Sequence, residues 1–193
     1  LLAADGVAVR GRPRGTWVSG GQYWWSVLDE WLPGGGLPDL EPAEAQAALA
    51  RAWLSTFGPA PVTDLKWWSG WTLGQTRAAL AAVGAVEVDL DGTPGVALPD
   101  DLAPVPAPEP YATLLPTLDP TTMGWQDRGW YLGPHGKALF DTNGNAGPTV
   151  WWDGRIVGGW AQRDDGEVVV VPAEDLPAGA RRALDAKAAE LSA

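Results

Sequence analysis

The chain of 193 residues contains no cysteine and a single histidine, His135. Without thiols it can form neither a disulfide framework nor a thiolate zinc site. One imidazole also cannot supply the histidine cluster on which many protein metal centres depend. The sequence therefore predicts no bound metal, and it gives no sign of a cofactor.

Long hydrophobic runs are also missing. No run approaches the roughly 20 apolar residues that a membrane-spanning helix needs, and no segment has the features of a signal peptide. We therefore expect a cytoplasmic protein without a membrane partner. We also expect a monomer. The chain begins LLAADG rather than with methionine, which leads us to expect a fragment or a processed product.

Positive charge is scarce. The chain has 13 Lys and Arg residues against 24 Asp and Glu residues, a net charge of −11 and a pI of about 4.3. Neutralisation of phosphates by Lys and Arg supplies most non-specific affinity for nucleic acids, so a broadly basic binding surface is excluded and any DNA binding must be local. The sequence also contains no GxSxG or HExxH motif and no Ser, His and Asp set with a spacing signal.

The chain does contain a complete supersecondary pattern over residues 41–99. Three segments with helical periodicity are followed by two short strands that meet at the turn Asp91-Gly92. The third helix begins at a capping box formed by Thr72 and Gln75. Three helices followed by a hairpin is the order of a winged helix. The segments are EPAEAQAALARAWLSTFG, PVTDLKWWSG, TLGQTRAALAAVG and VEVDLDGTPGVAL.

The third of these helices is the candidate recognition helix. In a helix-turn-helix, the second helix of the pair enters the major groove with its amino-terminal residues near the base edges. Here that geometry would present Thr72, Gln75, Thr76 and Arg77. The alternative is a scaffold role without DNA contact, because Arg77 is the one cationic residue of this helix.

Residues 1–40 predict the end of a preceding winged helix. The segment GVAVRGRPRGTWVSG predicts a hairpin with Val7 and Val9 in one arm and Trp17 and Val18 in the other. The segment QYWWSVLDEWL, which follows, predicts a short amphipathic linker helix. A wing here would make the winged helix an internal repeat.

Three arginines, Arg10, Arg12 and Arg14, crowd the turn of this predicted hairpin and form the most basic part of the chain. A wing with arginines at its tip suits a phosphate backbone or a minor groove. The alternative is a solvated turn whose charge is balanced by nearby acidic residues. Those residues are Asp5, Asp29 and Glu30.

The composition changes after a Pro-rich linker at residues 100–110. Short apolar or aromatic runs then alternate with DG, NG and GG turns, which is typical of a small antiparallel β-barrel, and the chain closes with an Ala-rich helix. The predicted fold class is therefore α+β: a winged helix, then a small antiparallel β-barrel and a C-terminal helix. The predicted divisions are 1–40, 41–99, 100–110 and 111–193.

A second candidate site lies in the barrel segment LDPTTMGWQDRGW. Asp119 and Asp127 flank Trp125 there, and a carboxylate beside an aromatic ring can serve as a general acid or base. Arg128 follows Asp127 directly. The alternative interpretation is therefore a structural corner held by an ion pair between these two residues.

Three segments together resemble the bacterial winged-helix DNA-binding-domain family that includes the AlkZ-like DNA glycosylases. The resemblance implies tandem winged helices followed by a carboxy-terminal β-barrel, with double-stranded DNA as the partner. Some members of that family excise alkylated or crosslinked bases, and others have no established activity. The segments are WLSTFGPAPVTDLKWWSGWTLGQTRAAL, LLPTLDPTTMGWQDRGWYLG and GNAGPTVWWDGRIVGGWAQRDDGEVVV.

Family members that cut DNA resemble one another in a Gln-x-Gln or similar motif near the amino terminus. No two glutamines of this chain have that spacing, so we assign no catalytic residue. The interpretation is the carboxy-terminal portion of a glycosylase-like DNA repair protein. Two alternatives are a non-catalytic winged-helix DNA-binding or regulatory protein and a protein-interaction scaffold. The glutamines are Gln22, Gln46, Gln75, Gln126 and Gln162.

Overall fold

The computed structural model describes residues 2–14, 22–34 and 36–192, and the chain divides into two compact units, residues 1–45 and 46–193. In the first unit, strand β1 (Ala8–Pro13) pairs antiparallel with strand β2 (Tyr23–Val27), and the one-turn helix α1 (Leu28–Trp31) follows. Leu28 is buried in this unit, whereas the aromatic side chains of β2 are exposed.

This arrangement corrects the predicted linker helix. Residues 23–27 form a strand, and the helix is confined to a single turn after it. Tyr and Trp favour extended backbone when a neighbouring strand supplies hydrogen-bond partners, and β1 supplies them here. The predicted second arm at Trp17 and Val18 lies outside the described residues.

The three helices and the hairpin expected over residues 41–99 are all present. They are α2 (Pro42–Phe57), α3 (Val62–Ser69) and α4 (Leu73–Ala82), followed by β3 (Val86–Leu90) and β4 (Thr93–Ala97). Ala60 forms a bridge to Val96 and so attaches the α2–α3 loop to the hairpin. Trp53 and Leu54 of α2 are buried against Leu65 and other apolar residues of this group, which places the core among the three helices and β4.

The carboxy-terminal strands form an open sheet rather than the predicted closed barrel. Among the described residues, the strands β5 (Ala112–Leu115), β6 (Thr149–Trp152), β7 (Arg155–Gln162) and β8 (Val168–Pro172) pair antiparallel in that order, with β5 and β8 at the edges. The reason lies in residues 116–148, where proline and glycine favour single helical turns over further strands. These turns are α5 (Pro120–Met123), α6 (Gly129–Leu132), a 3₁₀ turn (Gly133–His135) and α7 (Gly136–Leu139).

Both faces of this sheet are covered. The C-terminal helix α8 (Ala178–Ser192) packs Ala180 and Leu184 against Val150 and Val157. On the other face, Tyr131 packs with Trp151 and Ile156. Trp152 belongs to the α8 side and Trp151 to the Tyr131 side, which confirms that these neighbouring residues point to opposite faces, as the alternation along a strand requires.

The Pro-rich segment 100–110 is exposed, but the segments on either side of it belong to one unit. The Trp125 indole Nε1 donates a hydrogen bond to the Phe57 carbonyl oxygen over 3.0 Å. The rings of these two residues also meet edge to face, with centroids 5.2 Å apart. No helix within the described residues is long and apolar enough to cross a membrane.

Candidate functional site

The α3 helix carries a buried carboxylate, Asp64, which is only 2% exposed. Its Oδ1 atom accepts hydrogen bonds from the backbone N–H groups of Gln126 and Asp127, over 3.2 and 3.3 Å. Burial raises the pKa of Asp64 above its usual value, and the two backbone hydrogen bonds partly offset the rise. The nearby Asp127 carboxylate adds a smaller increase.

Asp64 lines a cleft of about 700 Å³ within the second unit. One wall consists of aromatic rings from the end of α2 and from residues 125–130, and the β3–β4 turn contributes carboxylates. Gly58 and Pro59, which are joined by a cis peptide bond, also line the cleft. The aromatic residues are Phe57, Trp125 and Trp130, and the carboxylates are Asp64, Asp89, Asp91 and Asp127.

The aromatic wall is held by nearly perpendicular ring contacts. The Trp125 and Trp130 rings meet edge to face at a centroid distance of 5.1 Å. The Tyr131 ring contacts the Trp130 ring and stacks on the Trp151 ring, with a centroid distance of 5.2 Å to Trp151. Its hydroxyl donates a hydrogen bond to the Thr122 carbonyl oxygen over 3.1 Å. Burial raises the pKa of Tyr131 to about 12, so this residue stays neutral and acts as a structural support.

The four residues predicted as a barrel site have separate roles. Asp119 caps α5 by accepting the Thr121 N–H over 2.9 Å and does not line the cleft. Trp125 and Asp127 do line it. Asp127 also accepts the Gly129 N–H through Oδ1 over 3.1 Å. The structure therefore brings two of the four predicted residues into one site.

The structure does not bear out the ion pair between Arg128 and Asp127 that the alternative interpretation expected. Its guanidinium instead donates to the carbonyl oxygens of Trp125 and Gly144, over 3.1 and 2.9 Å, and lies 4.8 Å from the centroid of the Phe140 ring. No ion pair joins Arg128 to Asp127 in the described part of the chain. The fixed donor geometry of a guanidinium explains this preference, because two carbonyl groups are aligned with it here.

The predicted recognition helix offers little to a ligand. The side chains of Thr72 and Gln75 are engaged with each other in the capping box, with hydrogen bonds of 2.8 to 3.3 Å. Thr76 is fully buried and donates to the Thr72 carbonyl oxygen, which corrects its assignment as a base-reading residue. Arg77 is exposed. Of the four predicted residues, Arg77 therefore has the side chain best placed to contact DNA.

The three arginines of the first unit are exposed on and just after β1. The Arg10 guanidinium lies 4.3 Å from the centroid of the Tyr23 ring, and the Arg14 guanidinium lies 4.7 Å from that of the Trp24 ring. Arg12 lies between them on β1. The strand pairing thus places an aromatic ring of β2 beside the guanidinium of Arg10 and another beside that of Arg14. We call this group of exposed residues the arginine hairpin: Arg10, Arg12, Arg14, Tyr23 and Trp24.

Sequence reasoning missed Asp64, the most buried ionisable group of the site. The available signal was its position directly before Leu65, on the apolar side of a short helix. Its partners follow some sixty residues later in the chain, at separations of 62 and 63 residues. Such a contact cannot be read from local periodicity.

Comparison with known proteins identifies the family. Among solved structures, the chain is similar to the Streptomyces sahachiroi DNA glycosylase AlkZ, with a TM-score of 0.79 and 27% sequence identity. The match covers 99% of this chain and 53% of that protein, so this chain spans about half the length of its relative. No curated protein sequence matches significantly. The family model for AlkZ-like DNA glycosylases matches residues 1–193, and the chain belongs to that family.

Proposed function

We propose that this chain is the winged-helix DNA-binding portion of a glycosylase-like DNA repair protein and that its arginine hairpin contacts duplex DNA. Family membership supports the repair context. The observation that carries the DNA contact is the exposure of Arg10, Arg12 and Arg14 within five residues of sequence. Local positive charge of this kind is what an acidic chain needs to hold a phosphate backbone.

The aromatic rings of the hairpin strengthen this proposal. A guanidinium placed over an aromatic face is attracted by the ring and loses part of its rotational freedom. Arg10 over Tyr23 and Arg14 over Trp24 are therefore partly ordered before any ligand arrives. Their N–H donors stay available at the ring edges, where phosphate oxygens can accept them.

The three helices and the hairpin of residues 41–99, which we call the three-helix segment, carry charges that argue against them as the main DNA contact. Its hairpin carries Glu87, Asp89 and Asp91, which repel phosphates. On α4, the capping box engages Thr72 and Gln75, and Arg77 is the cationic residue that remains. We therefore assign a mainly structural role to this segment, whose elements follow the winged-helix order of α2, α3, α4, β3 and β4. Its contribution to DNA binding is minor.

The test is the salt dependence of duplex binding. Replacement of Arg10, Arg12 and Arg14 by alanine should weaken binding and reduce the slope of log affinity against log salt by about three, as expected for about three lost phosphate contacts. A matched triple variant with the same charge change should retain most of the slope. Its substitutions are Arg155→Ala, Arg163→Ala and Arg182→Ala, at exposed positions of the second unit.

Fluorescence anisotropy with a labelled duplex at several salt concentrations gives both slopes. If the hairpin variant keeps the wild-type slope, or if the control variant loses as much, the hairpin is not the contact surface. Circular dichroism of both variants establishes that the fold is retained, so a loss of slope reports on contacts.

A further inference from the structure

We propose that the outer edge of β8 is a pairing surface for β8 of a second copy of this chain, and that the Ser192 hydroxyl latches this edge closed. The surface belongs to the second unit, and the inference is independent of DNA binding. It depends on the direction of the backbone groups of β8, on what closes them and on the composition of the strand.

The pairing of β8 with β7 determines which backbone groups of β8 face outward. Backbone hydrogen bonds join residues 163 and 167 at one end of the pair and residues 157 and 173 at the other, over 2.8 and 2.9 Å. Hydrogen-bonded positions alternate along an antiparallel pair, and the register between these ends is continuous. The odd-numbered residues of β8 therefore bond to β7, and the even-numbered residues face outward. The outward residues are Val168, Val170 and Pro172.

Two of these outward positions are closed. The Ser192 hydroxyl of α8 accepts the Val168 N–H over 2.8 Å and donates to the Ala188 carbonyl oxygen over 2.8 Å, so α8 holds it in place. Pro172 has no N–H to offer. Val170 is left with an outward N–H that no described residue accepts. Closed positions of this kind are a means by which proteins protect edge strands.

The composition of β8 favours a second copy as the partner. Residues 168–171 are four consecutive valines, which are β-branched and uncharged, and Val171 is 58% exposed. Such runs add readily to other strands. Around a two-fold axis at Val170, two antiparallel β8 strands can exchange backbone hydrogen bonds at this residue and form a closed dimer. The released Val168 N–H would then face the Pro172 carbonyl oxygen of the second copy.

The opposite edge of the sheet differs in how it is closed. The Asp153 N–H donates to the Tyr111 carbonyl oxygen over 2.9 Å, so residue 111 bonds towards β6 and residues 110, 112, 114 and 116 face outward. Proline occupies both end positions of this row, Pro110 and Pro116. Closure of the β8 edge depends instead on a hydroxyl in the last turn of α8, and helix ends fray. The β8 edge is therefore the one that can open.

The experiment measures self-association of the whole chain by sedimentation equilibrium at physiological ionic strength, which screens the net charge of −11. Ser192→Ala should lower the dimer dissociation constant severalfold, and Ser192→Thr, which keeps the hydroxyl, should not. Addition of Pro172→Thr to Ser192→Ala should lower it at least about tenfold, because each restored hydrogen bond occurs twice in a two-fold interface. An unchanged constant in Ser192→Ala, or an equal change in Ser192→Thr, would overturn the latch.

Ser55→Ala and Pro106→Thr are the matched controls. The Ser55 hydroxyl donates to the Ala52 carbonyl oxygen within α2 over 2.9 Å, and Pro106 lies in the exposed segment 100–110. Neither substitution opens a sheet edge, so neither should change self-association. An increase in the controls equal to that in the matching β8-edge variants would refute the edge as its cause.

Amide hydrogen exchange of the double variant locates the interface. The Val168 and Val170 amides should become protected as the protein concentration rises. Addition of Val171→Lys places a charge on the exposed edge while it makes the net charge less negative, and it should return the double variant to a monomer. Association without protection of these amides, or association that survives Val171→Lys, would refute the surface.

Pro172→Thr alone keeps the test decisive if Ser192→Ala folds poorly. This substitution leaves α8 unchanged and supplies the missing outward N–H. It should lower the dimer dissociation constant severalfold relative to Pro106→Thr. Equal constants in these two variants would refute pairing through β8.

Discussion

Asp64 is almost completely buried, and in the described part of the chain its Oδ1 atom accepts two backbone hydrogen bonds. Because its pKa is raised in the folded chain, the folded state holds the proton more tightly than the unfolded state does. The contribution of Asp64 to the free energy of unfolding is therefore greatest below the usual pKa of an aspartate. It falls as the pH rises through the raised value and stays lower above it.

Asp64→Asn should remove this loss, since an amide cannot ionise and its oxygen can still accept both backbone N–H groups. We expect the variant to gain stability relative to the wild type as the pH rises from about 4 towards neutrality. Thermal unfolding followed by circular dichroism over this range measures the difference. A difference in stability that shrinks with rising pH would contradict the assignment.

Gly124 is a second residue on which the cleft depends. A Cβ atom at this position would lie 2.4 Å from Cδ1 of the Phe57 ring, which is far inside normal contact distance. Gly124→Ala should therefore displace Phe57 and cost about 1–3 kcal/mol of unfolding free energy, as overpacking usually does. Urea denaturation measures this cost.

Gly74→Ala is the matched control, because no atom lies within 4 Å of a Cβ built at this helical glycine. It should be neutral or stabilising by up to about 1 kcal/mol, since alanine is the better helix former. If both substitutions have the same effect on stability, packing against Phe57 does not restrict position 124.

Among the elements, α4 shows how well local signals can work. The capping box of Thr72 and Gln75 was visible in the sequence and is formed in the structure. Its presence also limits function, because the same two side chains cannot both cap the helix and contact bases. Thr72→Ala should cost about 0.5–2 kcal/mol of stability.

The same Thr72→Ala variant should keep wild-type DNA affinity when binding is measured well below its unfolding temperature. Anisotropy titration of the duplex used for the arginine hairpin gives this comparison. A large loss of affinity with the fold intact would return α4 to the role of recognition helix.

The helices of residues 41–99 could be predicted because periodicity, caps and turns agree along a short stretch of chain. The β-barrel could not, because runs such as GWYLG are apolar but form single helical turns whose tertiary contacts are with the sheet. The helix predicted over residues 23–27 was wrong for a related reason, because pairing with β1 overrides the amphipathic helical pattern of this segment. Asp64 was missed since its burial depends on residues 126 and 127.

For the whole chain, we expect DNA binding without base excision. A glycosylase must hold an extruded nucleotide, stabilise a cationic sugar and aim a water molecule at it. Asp119 is engaged as a helix cap, and no two glutamines have the Gln-x-Gln spacing. Single-turnover assays on a duplex with an alkylated purine should therefore detect no base release by this chain.

Variants of the cleft that Asp64 and Asp127 line test whether any base release in that assay comes from the cleft. Base release by the wild-type chain that disappears in Asp64→Asn or Asp127→Asn would mean that the cleft is an active site. Release that persists in both variants would place the chemistry elsewhere in the chain. Either observation would replace the non-catalytic interpretation.

The contacts between Phe57 and Trp125, and between Asp64 and residues 126–127, have a topological consequence. They join the three helices and hairpin of residues 41–99 to the sheet-bearing residues 111–192 directly, without the exposed residues 100–110. Covalent continuity there is therefore not what keeps the two segments together. A protease that cuts this exposed connection would leave a nicked protein whose two pieces remain associated and keep the cleft between them.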